Sequence, residues 1–318
     1  MKLKEAFIMI KQKKYSGITV PVLTPVLENE TVDEQGYRTL IKYLLDNGVH
    51  GVFACGTLGE TMALTQQERD RAIRIAADVC KGKAKVFAGV MDTSTRRVIE
   101  NIKRVADCGC DAAVITPVFY DRHTSQSEII RLFEDVAKET DIDLVAYNIP
   151  SFVVEKIEPA TVSALADIDA VKAYKDSAAN FNDTVKVCNA LADREDFSVL
   201  NGTPVQYMPS ALLGCDGCVP GMASMYPKVF VEAYKASLTG DVDLMRKFNK
   251  LICLAGSVYA SAKNGTAAVK YAVSTMGFMS ERVLRPQDGV NPQEAEKIRK
   301  QMALCEETFR AEGVESVL

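Results

Sequence analysis

An alternation of short apolar segments, rich in β-branched residues, with longer amphipathic segments repeats eight times from residue 17 onward. The short segments predict strands at 18–23, 51–54, 86–90, 112–116, 144–148, 170–174, 198–201 and 217–220. The longer segments predict helices near 33–47, 66–81, 95–108, 126–139, 159–166, 180–192, 204–213 and 225–238. This order is typical of βα units around a parallel sheet, and eight units predict an α/β fold, the (β/α)8 TIM barrel.

The pattern changes after about residue 240, beyond which no further strand is predicted. The apolar residues Leu244, Phe248, Leu251, Ile252 and Ala255 lie on one helical stripe. We therefore predict an N-terminal segment at 1–16, the barrel at 17–240 and a C-terminal helical extension at 241–318 whose helices pack on the barrel. A doubly wound sheet is the main rival fold, but it rarely reaches eight tandem units.

The charge and the composition exclude several classes of partner. The 318 residues carry a formal net charge of −4 and no long basic block, so nucleic acid is not expected as a partner. The start of the chain has only a five-residue apolar run between lysines, too short for a signal peptide, and no stretch approaches a membrane span. We predict a cytoplasmic protein with no membrane partner.

The nine cysteines are scattered, which favours free thiols in a reducing compartment over a disulfide framework. Cys215 and Cys218 form a CxxC pair, but the chain has only two histidines, His50 and His123, and no second ligand pair. We predict that the two cysteines are small buried residues around the turn at Gly217, and that there is no metal site.

Reactive side chains are expected at the carboxyl ends of the strands, because the active sites of TIM barrels form at that face. Lys175 closes the sixth predicted strand, Tyr147 lies near the end of the fifth, and a glycine-containing turn at 56–60 follows the second. Lys172 competes with Lys175, but the alternation of side chains along a strand places the two on opposite faces. An amine enclosed by apolar walls at a strand end loses solvation of its charged form and becomes a nucleophile toward carbonyls.

Each of these three features also has a purely structural interpretation. Lys175 can pair with Asp176 at the surface, and Tyr147 can be a core tyrosine with a bonded hydroxyl. The segment 56–60 can be only a turn, although its backbone N–H groups can also bind an anion. The joint placement of the three at separate strand ends favours the catalytic interpretation.

The segments GTLGET at 56–61, YNIP at 147–150 and VKAYKDS at 171–177 resemble motifs of the dihydrodipicolinate synthase and N-acetylneuraminate lyase superfamily of class I aldolases. The resemblance extends from ITVPVLTP at 18–25 to GCVPGMASMYP at 217–227, in the same order and spacing. It implies a barrel enzyme that is commonly a homotetramer, built as a dimer of dimers. It also implies that the TPVFY loop at 116–120 approaches the active site of a neighbouring subunit.

The resemblance further implies a mechanism. Lys175 attacks the C2 ketone of a 2-oxo acid, expels water and forms a protonated imine, which serves as the electron sink when a carbon–carbon bond breaks or forms. Tyr147 carries the proton with the help of Thr57, and no metal or organic cofactor is needed beyond the covalent lysine imine. The substrate carboxylate is bound by the glycine-rich turn, which includes Gly56, Leu58 and Gly59.

Three positions near this predicted site depart from the family pattern. Leu58 stands where a second hydroxyl residue is usual, so the contact to the carboxylate rests on Thr57 and on backbone N–H groups. Phe152 stands where the synthases carry an arginine for the carboxylate of their aldehyde substrate, and a phenyl ring cannot supply that charge. The relay tyrosine of the synthases falls on Phe119, unless the neighbouring Tyr120 takes its place.

The distal end of the predicted pocket departs from the pattern as well. Gly202 matches the family, but Thr203, Pro204 and Val205 replace the acidic pair with which sialic acid lyases hold sugar hydroxyls. The predicted distal wall is mainly apolar with some polar groups, and its side chains are Phe152, Val205, Val219, Arg122, Thr203 and Ser224.

These departures lead to three hypotheses. The first is a lyase, either an aldolase or a dehydratase, that acts on a 2-oxo acid such as a 2-oxo-3-deoxy sugar acid through the Lys175 imine and releases or uses pyruvate. The second is 4-hydroxy-tetrahydrodipicolinate (dihydrodipicolinate) synthase activity, which condenses pyruvate with aspartate semialdehyde, with another cation such as Arg122 compensating for Phe152. The third is a non-catalytic barrel that binds a 2-oxo acid, or a phosphate at Gly202 and Gly221.

Overall fold

The computed structural model describes residues 12–120 and 125–314. Within these residues, eight parallel strands hydrogen-bond in chain order and the eighth pairs with the first, which closes the sheet into a barrel. The strands are β1 (Gly17–Pro21), β2 (Gly51–Ala54), β3 (Lys85–Gly89), β4 (Ala112–Ile115), β5 (Asp143–Asn148), β6 (Val171–Asp176), β7 (Ser198–Asn201) and β8 (Gly217–Cys218). The predicted (β/α)8 TIM barrel is confirmed.

Twelve α-helices lie between and after the strands in the described residues. They are α1 (Glu34–Asp46), α2 (Gln66–Cys80), α3 (Thr95–Val105), α4 (Gln126–Ala137), α5 (Pro150–Val153), α6 (Pro159–Ala166), α7 (Phe181–Ala190), α8 (Tyr207–Ala211), α9 (Pro227–Thr239), α10 (Val242–Tyr259), α11 (Gly265–Ser274) and α12 (Pro292–Ala311). The last three helices form the C-terminal extension, in which α10 contacts both α9 and α12.

Polar residues fix where several helices of the barrel begin, because they satisfy N–H groups that have no partner within the helix. Asp33, Thr65 and Ser94 each accept a hydrogen bond from the first turn of α1, α2 and α3 respectively. Ser125 and Glu128 form a capping box at the start of α4. These caps set the length of the loops that join strand ends to helices at the carboxyl face.

The amino end of the barrel is closed by Tyr15, a residue that precedes the first strand. Its ring is 2% exposed and packs edge to face against Phe87, with the ring centroids 5.1 Å apart. Its hydroxyl donates to the carbonyl oxygen of Asp111 at 2.9 Å and to Oδ2 of Asp143 at 2.7 Å. In the described part of the chain, the amino end of the barrel interior is therefore packed with apolar side chains, as in other TIM barrels.

Many predicted bounds differ from those in the structure, and three of these differences bear on the site. β6 continues to Asp176, so Lys175 lies within the strand and pairs with both neighbouring strands. β8 contains only two residues, since Pro220 has no N–H for a longer ladder. The helix predicted at 204–213 is split into a 3-10 turn, Pro204–Gln206, and α8, because Pro209 cannot donate the next helical hydrogen bond.

All nine cysteines are free thiols, as the sequence predicts. Cys215 and Cys218 are buried beside Gly217. No helix in the part of the chain that the structure describes has the length and apolar character needed to cross a bilayer.

Candidate active site

Lys175 lies in β6 with its side chain directed into the mouth of the barrel. It pairs in register with Tyr147 of β5 and Leu200 of β7, and it is 4% exposed. Its Nζ atom lies 3.8 Å from the ring centroid of Tyr147 and 4.9 Å from that of Phe53. Within the described residues the ammonium group has no carboxylate partner, so these two ring faces are its main stabilising contacts.

Two charged neighbours of Lys175 in β6, Lys172 and Asp176, point away from the barrel interior, because side chains alternate between the two faces of a strand. Lys172 lies on the outer face of β6, where its Nζ donates to Asp169 at 2.9 Å. Asp176 accepts hydrogen bonds from Asn148 Nδ2 at 3.1 Å and from the hydroxyl of Thr184 at 2.9 Å. The surface pair of Lys175 with Asp176, the structural alternative considered above, is therefore absent.

The carboxylate of Asp176 belongs to a buried polar layer behind the strand. Burial raises the pKa of Asp176, while the hydrogen bonds from Ala178 N, Thr184 and Asn148 act in the opposite direction. Asn148 also donates to the hydroxyl of Tyr174 at 2.9 Å. This layer joins β5 to β6, and it fixes the two strands that carry Tyr147 and Lys175.

The turn after β2 supplies the third group of site residues. Thr57 is half-buried, and the side chain of Leu58 is 8% exposed and packs against Gly221. Among the described residues, the backbone N–H groups of Leu58 and Gly59 make no hydrogen bond to the protein. Two adjacent free N–H groups next to a threonine hydroxyl provide an arrangement that can bind a carboxylate.

A buried ion pair holds this turn from behind. Glu60 adopts a left-handed backbone conformation with φ of 55°, and its carboxylate pairs with Lys270 of α11 and accepts the N–H of Leu284 at 2.8 Å. Lys270 is fully buried and donates to the carbonyl oxygen of Arg282 at 2.8 Å. Burial lowers the pKa of Lys270, and the neighbouring Glu60 opposes that shift. The C-terminal extension is thus attached directly to the turn that carries Thr57.

The predicted site residues surround two adjoining cavities. The main cavity has a volume of about 1200 Å³, and the predicted residues that line it are Lys175, Tyr147, Thr57, Leu58, Phe152, Gly202, Thr203 and Val219. The side cavity has a volume of about 560 Å³, and the predicted residues that line it are Thr57, Phe119 and Phe152. Most of the residues selected from the sequence are therefore brought together in one place.

The side cavity also has polar groups of its own. The hydroxyls of Thr61 and Thr116 line it and are buried without a hydrogen-bond partner among the described residues. The guanidinium-bearing Arg285 lines it as well. Phe152 is 64% exposed and forms part of the wall of both cavities. The side cavity therefore combines apolar walls with groups that can bind a polar ligand.

Three predicted binding residues do not line either cavity. Gly56 packs on the ring of Phe53, where a Cβ atom would lie 2.8 Å from a ring carbon. The carbonyl of Gly59 accepts a hydrogen bond from the hydroxyl of Thr24 at 2.8 Å. Tyr120 is 98% exposed and has a φ of 79°. Of these, the two glycines shape the turn, and the side chain of Tyr120 is exposed to solvent.

Other predicted residues have structural surroundings of a different kind. Gly202 lies so close to β6 that a Cβ atom would be 2.0 Å from Oγ of Ser177 and 2.8 Å from the carbonyl oxygen of Asp176. Ser224 is fully buried, and its hydroxyl has no partner among the described residues. Arg122 lies outside the described residues, as does His123.

The sequence did not predict that the C-terminal helices form one wall of the main cavity. Tyr259 at the end of α10 lines the cavity, and its ring covers Gly265 so closely that a Cβ atom there would lie 2.1 Å from Cζ. Burial and the nearby Tyr147 raise the pKa of Tyr259. Lys263 and Asn264, in the loop between α10 and α11, also line the cavity. No local pattern marks these residues, because the apolar stripe of α10 predicts a packed face and not a cavity, and Lys263 and Asn264 lie in the loop after that helix.

This arrangement is suited to carbonyl chemistry. A buried amine without a counter-ion is a potential nucleophile toward a ketone, and the hydroxyls of Tyr147 and Thr57 line the same cavity as potential proton carriers. No hydrogen bond joins these two hydroxyls in the described structure, so a relay between them would require a bound substrate or water as the link.

Comparison with known proteins agrees with this arrangement. Residues 14–304 match the model of the dihydrodipicolinate synthetase family. A 4-hydroxy-tetrahydrodipicolinate synthase of Syntrophobacter fumaroxidans is 30% identical over 272 residues, which cover 85% of this chain and 91% of that protein. The structure of dihydrodipicolinate synthase from Bacteroides thetaiotaomicron superposes with a TM-score of 0.87 and 31% identity, covering 92% of this chain and 99% of that one.

A second solved structure carries additional information about a ligand. YagE of Escherichia coli K12, described as a prophage protein of the dihydrodipicolinic acid synthase family in complex with pyruvate, superposes with a TM-score of 0.87 and 26% identity. The superposition covers 92% of this chain and 99% of YagE. The names of the relatives favour the synthase over the sugar-acid lyase that the sequence analysis placed first.

Proposed function

Because this chain belongs to the dihydrodipicolinate synthetase family and is a class I aldolase-type lyase, we propose that it forms an imine between Lys175 and pyruvate. The observation that carries the proposal is the environment of the amine. Lys175 is 4% exposed, has no carboxylate partner within the described residues, and lines a cavity of about 1200 Å³. An amine that lines a cavity and makes no ion pair with a described carboxylate is available to attack the carbonyl carbon of a bound ligand.

The proposed reaction begins when the neutral amine adds to the C2 ketone of pyruvate. Loss of water gives a protonated imine, and removal of a proton from C3 gives an enamine that attacks the aldehyde partner. Tyr147 and Thr57 are proposed to carry the protons of these steps, since their hydroxyls line the same cavity as the amine. The carboxylate of pyruvate is proposed to bind the hydroxyl of Thr57 and the free N–H group of Leu58, two residues that line the main cavity. No resident cofactor is part of this proposal.

We propose aspartate semialdehyde as the first aldehyde to test, because the relatives named synthases support that choice. Its carboxylate needs a cation, and Phe152 cannot supply one. Two described cations besides Lys175 line the cavities, namely Arg285 in the side cavity and Lys263 in the main one. If Arg285 binds the aldehyde, Arg285→Ala raises the KM for aspartate semialdehyde at least tenfold and leaves the KM for pyruvate unchanged, while Lys263→Ala changes neither.

A second candidate is cleavage of a 2-oxo-3-deoxy sugar acid, with release of pyruvate. Phe152 on the cavity wall and the large volume favour it, because the cavity of about 1200 Å³ exceeds the usual range of a small-ligand pocket. Asn264 and Glu294 add polar groups at the distal wall. A panel of 2-oxo-3-deoxy acids assayed for pyruvate release, beside the condensation assay with aspartate semialdehyde, ranks the two candidates by kcat/KM.

Trapping of the imine tests the central step. Incubation with pyruvate and borohydride should add one reduced pyruvate to the intact protein, and peptide analysis should locate it on Lys175. Lys172→Met is the matched control, since it removes the neighbouring lysine on the opposite face of β6 and should keep the adduct. A protein without any adduct and without turnover would support the non-catalytic alternative, a barrel that binds a 2-oxo acid or a phosphate at Gly202 and Gly221. An adduct on another lysine would contradict the assignment to Lys175.

We also propose a homotetramer in the cytoplasm. The almost complete exposure of Tyr120, beside a loop that the family resemblance assigns to a subunit contact, supports association. The nine free thiols support a reducing compartment. Size-exclusion chromatography with light scattering should give a mass of about four chains, and a monomeric mass would exclude the tetramer. Fractionation of cells that express the protein tests the location.

A further inference from the structure

Two thiols approach each other at the amino end of the barrel, on the face opposite to the candidate active site. Cys108 ends the short 3-10 turn Ala106–Cys108 that follows α3, and Cys110 lies two residues before β4. Their Sγ atoms are 3.3 Å apart. Neither residue takes part in the chemistry proposed for Lys175, because β4 runs from this turn toward the other end of the barrel.

The backbone between the two cysteines favours this approach. Gly109 has a φ of 83°, a left-handed conformation that reverses the chain and brings the flanking side chains together. A disulfide has an S–S distance of about 2.03–2.05 Å, so the sulfur atoms need to approach by only about 1.3 Å to form one. A nonglycine residue at position 109 would disfavour this turn.

The two thiols also differ in pKa, and a reactive pair needs one thiol that ionises more readily than the other. A hydrogen bond from Cys110 lowers the pKa of Cys108 to about 7, against the opposing effect of burial, and Arg74 adds a favourable charge. The hydrogen bond to Cys108 and burial raise the pKa of Cys110. Both residues are partly exposed. Cys108 therefore combines a lowered pKa with solvent access, although the nearby Asp107 carboxylate acts against the lowering, and Cys110 is positioned as the resolving thiol.

A second close pair in the same chain has different surroundings and provides a comparison. Cys188 and Cys215 share a hydrogen bond, but they are only 3% and 8% exposed. Cys215 also contacts the carbonyl oxygen of Val199 at 3.1 Å. Both pairs of thiols are therefore close together, but Cys108 and Cys110 are also accessible to solvent.

We propose that Cys108 and Cys110 form a reversible dithiol–disulfide site that reacts with hydroperoxides and with small disulfides. In the first case the Cys108 thiolate attacks the peroxide oxygen, breaks the O–O bond and becomes a sulfenic acid, with release of an alcohol or water. The Cys110 thiol then attacks that sulfur and expels water. The sum is two thiols and one hydroperoxide giving one disulfide, one alcohol and one water. With a small disulfide, two exchange steps give the internal disulfide and two small thiols.

This site is independent of the proposed lyase activity. Digestion with trypsin places both cysteines in one peptide. Cleavage after Arg104 and Arg122 gives a peptide, 105–122, that contains no cysteine other than Cys108 and Cys110. After brief treatment of the native protein with hydrogen peroxide or oxidised glutathione, this peptide should lose two hydrogen atoms in mass. Dithiothreitol should restore the original mass. Imine trapping at Lys175 should be unaffected by the oxidation.

Variants of the two cysteines and three control thiols complete the test. Cys110→Ser should stop at a sulfenic acid on Cys108 that dimedone traps, and Cys108→Ser should give neither the disulfide nor the trapped product. In the wild type, the alkylation rate of Cys108 should reach half its maximum near pH 7. In Cys110→Ala, which has no side-chain donor at that position, it should do so at a higher pH. The buried pair Cys188 and Cys215 should stay reduced under the same conditions. The proposal is overturned if the pair oxidises no faster than the exposed single thiol of Cys253, or if only disulfides between protein chains form.

Discussion

Removal of Lys270 tests how the C-terminal extension supports the candidate site. In Lys270→Met the carboxylate of Glu60 would lose its ion-pair partner and keep the N–H of Leu284 as its hydrogen-bond donor. The side chains of Lys270 and Glu60 are 0% and 1% exposed, so water cannot replace the lost ammonium group without a change in structure. Breaking such a buried pair from one side costs about 3–5 kcal/mol.

The expected change in melting temperature follows from the size of the chain. The entropy of unfolding is about 2.1 cal/mol/K per residue near 60 °C, or roughly 0.7 kcal/mol/K for 318 residues. A loss of about 3–5 kcal/mol therefore lowers the melting temperature by about 4–7 °C. Differential scanning calorimetry measures the shift. Lys263→Met is the matched control, because that lysine is exposed and makes no ion pair within the described residues, and it should change the stability by less than about 0.5 kcal/mol.

The double variant separates the ion pair from simple loss of packing. Glu60→Gln combined with Lys270→Met removes both charges, so part of the stability lost in the single variant should return. The activity should fall in the single variant too, since Glu60 holds the left-handed turn that carries Thr57. A stability loss below about 1 kcal/mol in Lys270→Met, or a double variant no more stable than the single one, would refute this explanation.

Two further predictions concern Gly202 and Asp92. Gly202→Ala places a methyl group 2.0 Å from Oγ of Ser177 and 2.8 Å from the carbonyl oxygen of Asp176. The substitution should lower the free energy of unfolding, measured in urea, by about 1–3 kcal/mol. Gly289→Ala is the control and should be neutral, because its methyl group would meet nothing within 4 Å. Equal effects of the two would show that the close approach is not limiting. Although burial opposes ionisation, a hydrogen-bond network that includes Arg97 lowers the pKa of Asp92 to about 2. Its ionised form therefore stabilises the fold above about pH 4, and this effect is lost toward pH 2. The difference in unfolding free energy between the wild type and Asp92→Asn should shrink over that range. A difference that stays constant with pH would contradict this expectation.

The barrel and the centre of the site could be predicted because their signals are local. The period of the apolar residues distinguishes strands from helices, and a strand end fixes the face on which a side chain lies. Those two facts predict that Lys175 and Lys172 lie on opposite faces of β6 and that Tyr147 lies near the end of β5, as the structure has them. They also predicted that the turn at 56–60 would lie near the amine, since all carboxyl ends of a barrel meet at one face.

The rest of the site depends on contacts between distant parts of the chain. Glu60 and Lys270 each look like an ordinary charged surface residue in the sequence, and only the docking of α11 on the turn makes them a buried pair. Tyr259 belongs to a helix whose apolar stripe predicts packing but not which side faces a cavity. α5 has only four residues, too few for any period to be visible. The position of Phe152 on this helix could therefore not be derived from the pattern.

Phe152 contributes to both cavities, so a change at this position alters both. Its ring is common to the walls of both, and it is carried by α5, which follows β5 but does not belong to the strands that hold the amine and the phenol. One substitution at this position would change which molecules fit beside the proposed imine site while leaving the geometry of Lys175 and Tyr147 intact. In evolutionary terms, a single mutation at such a position can change the substrate that a barrel accepts while the residues that carry out the reaction stay the same.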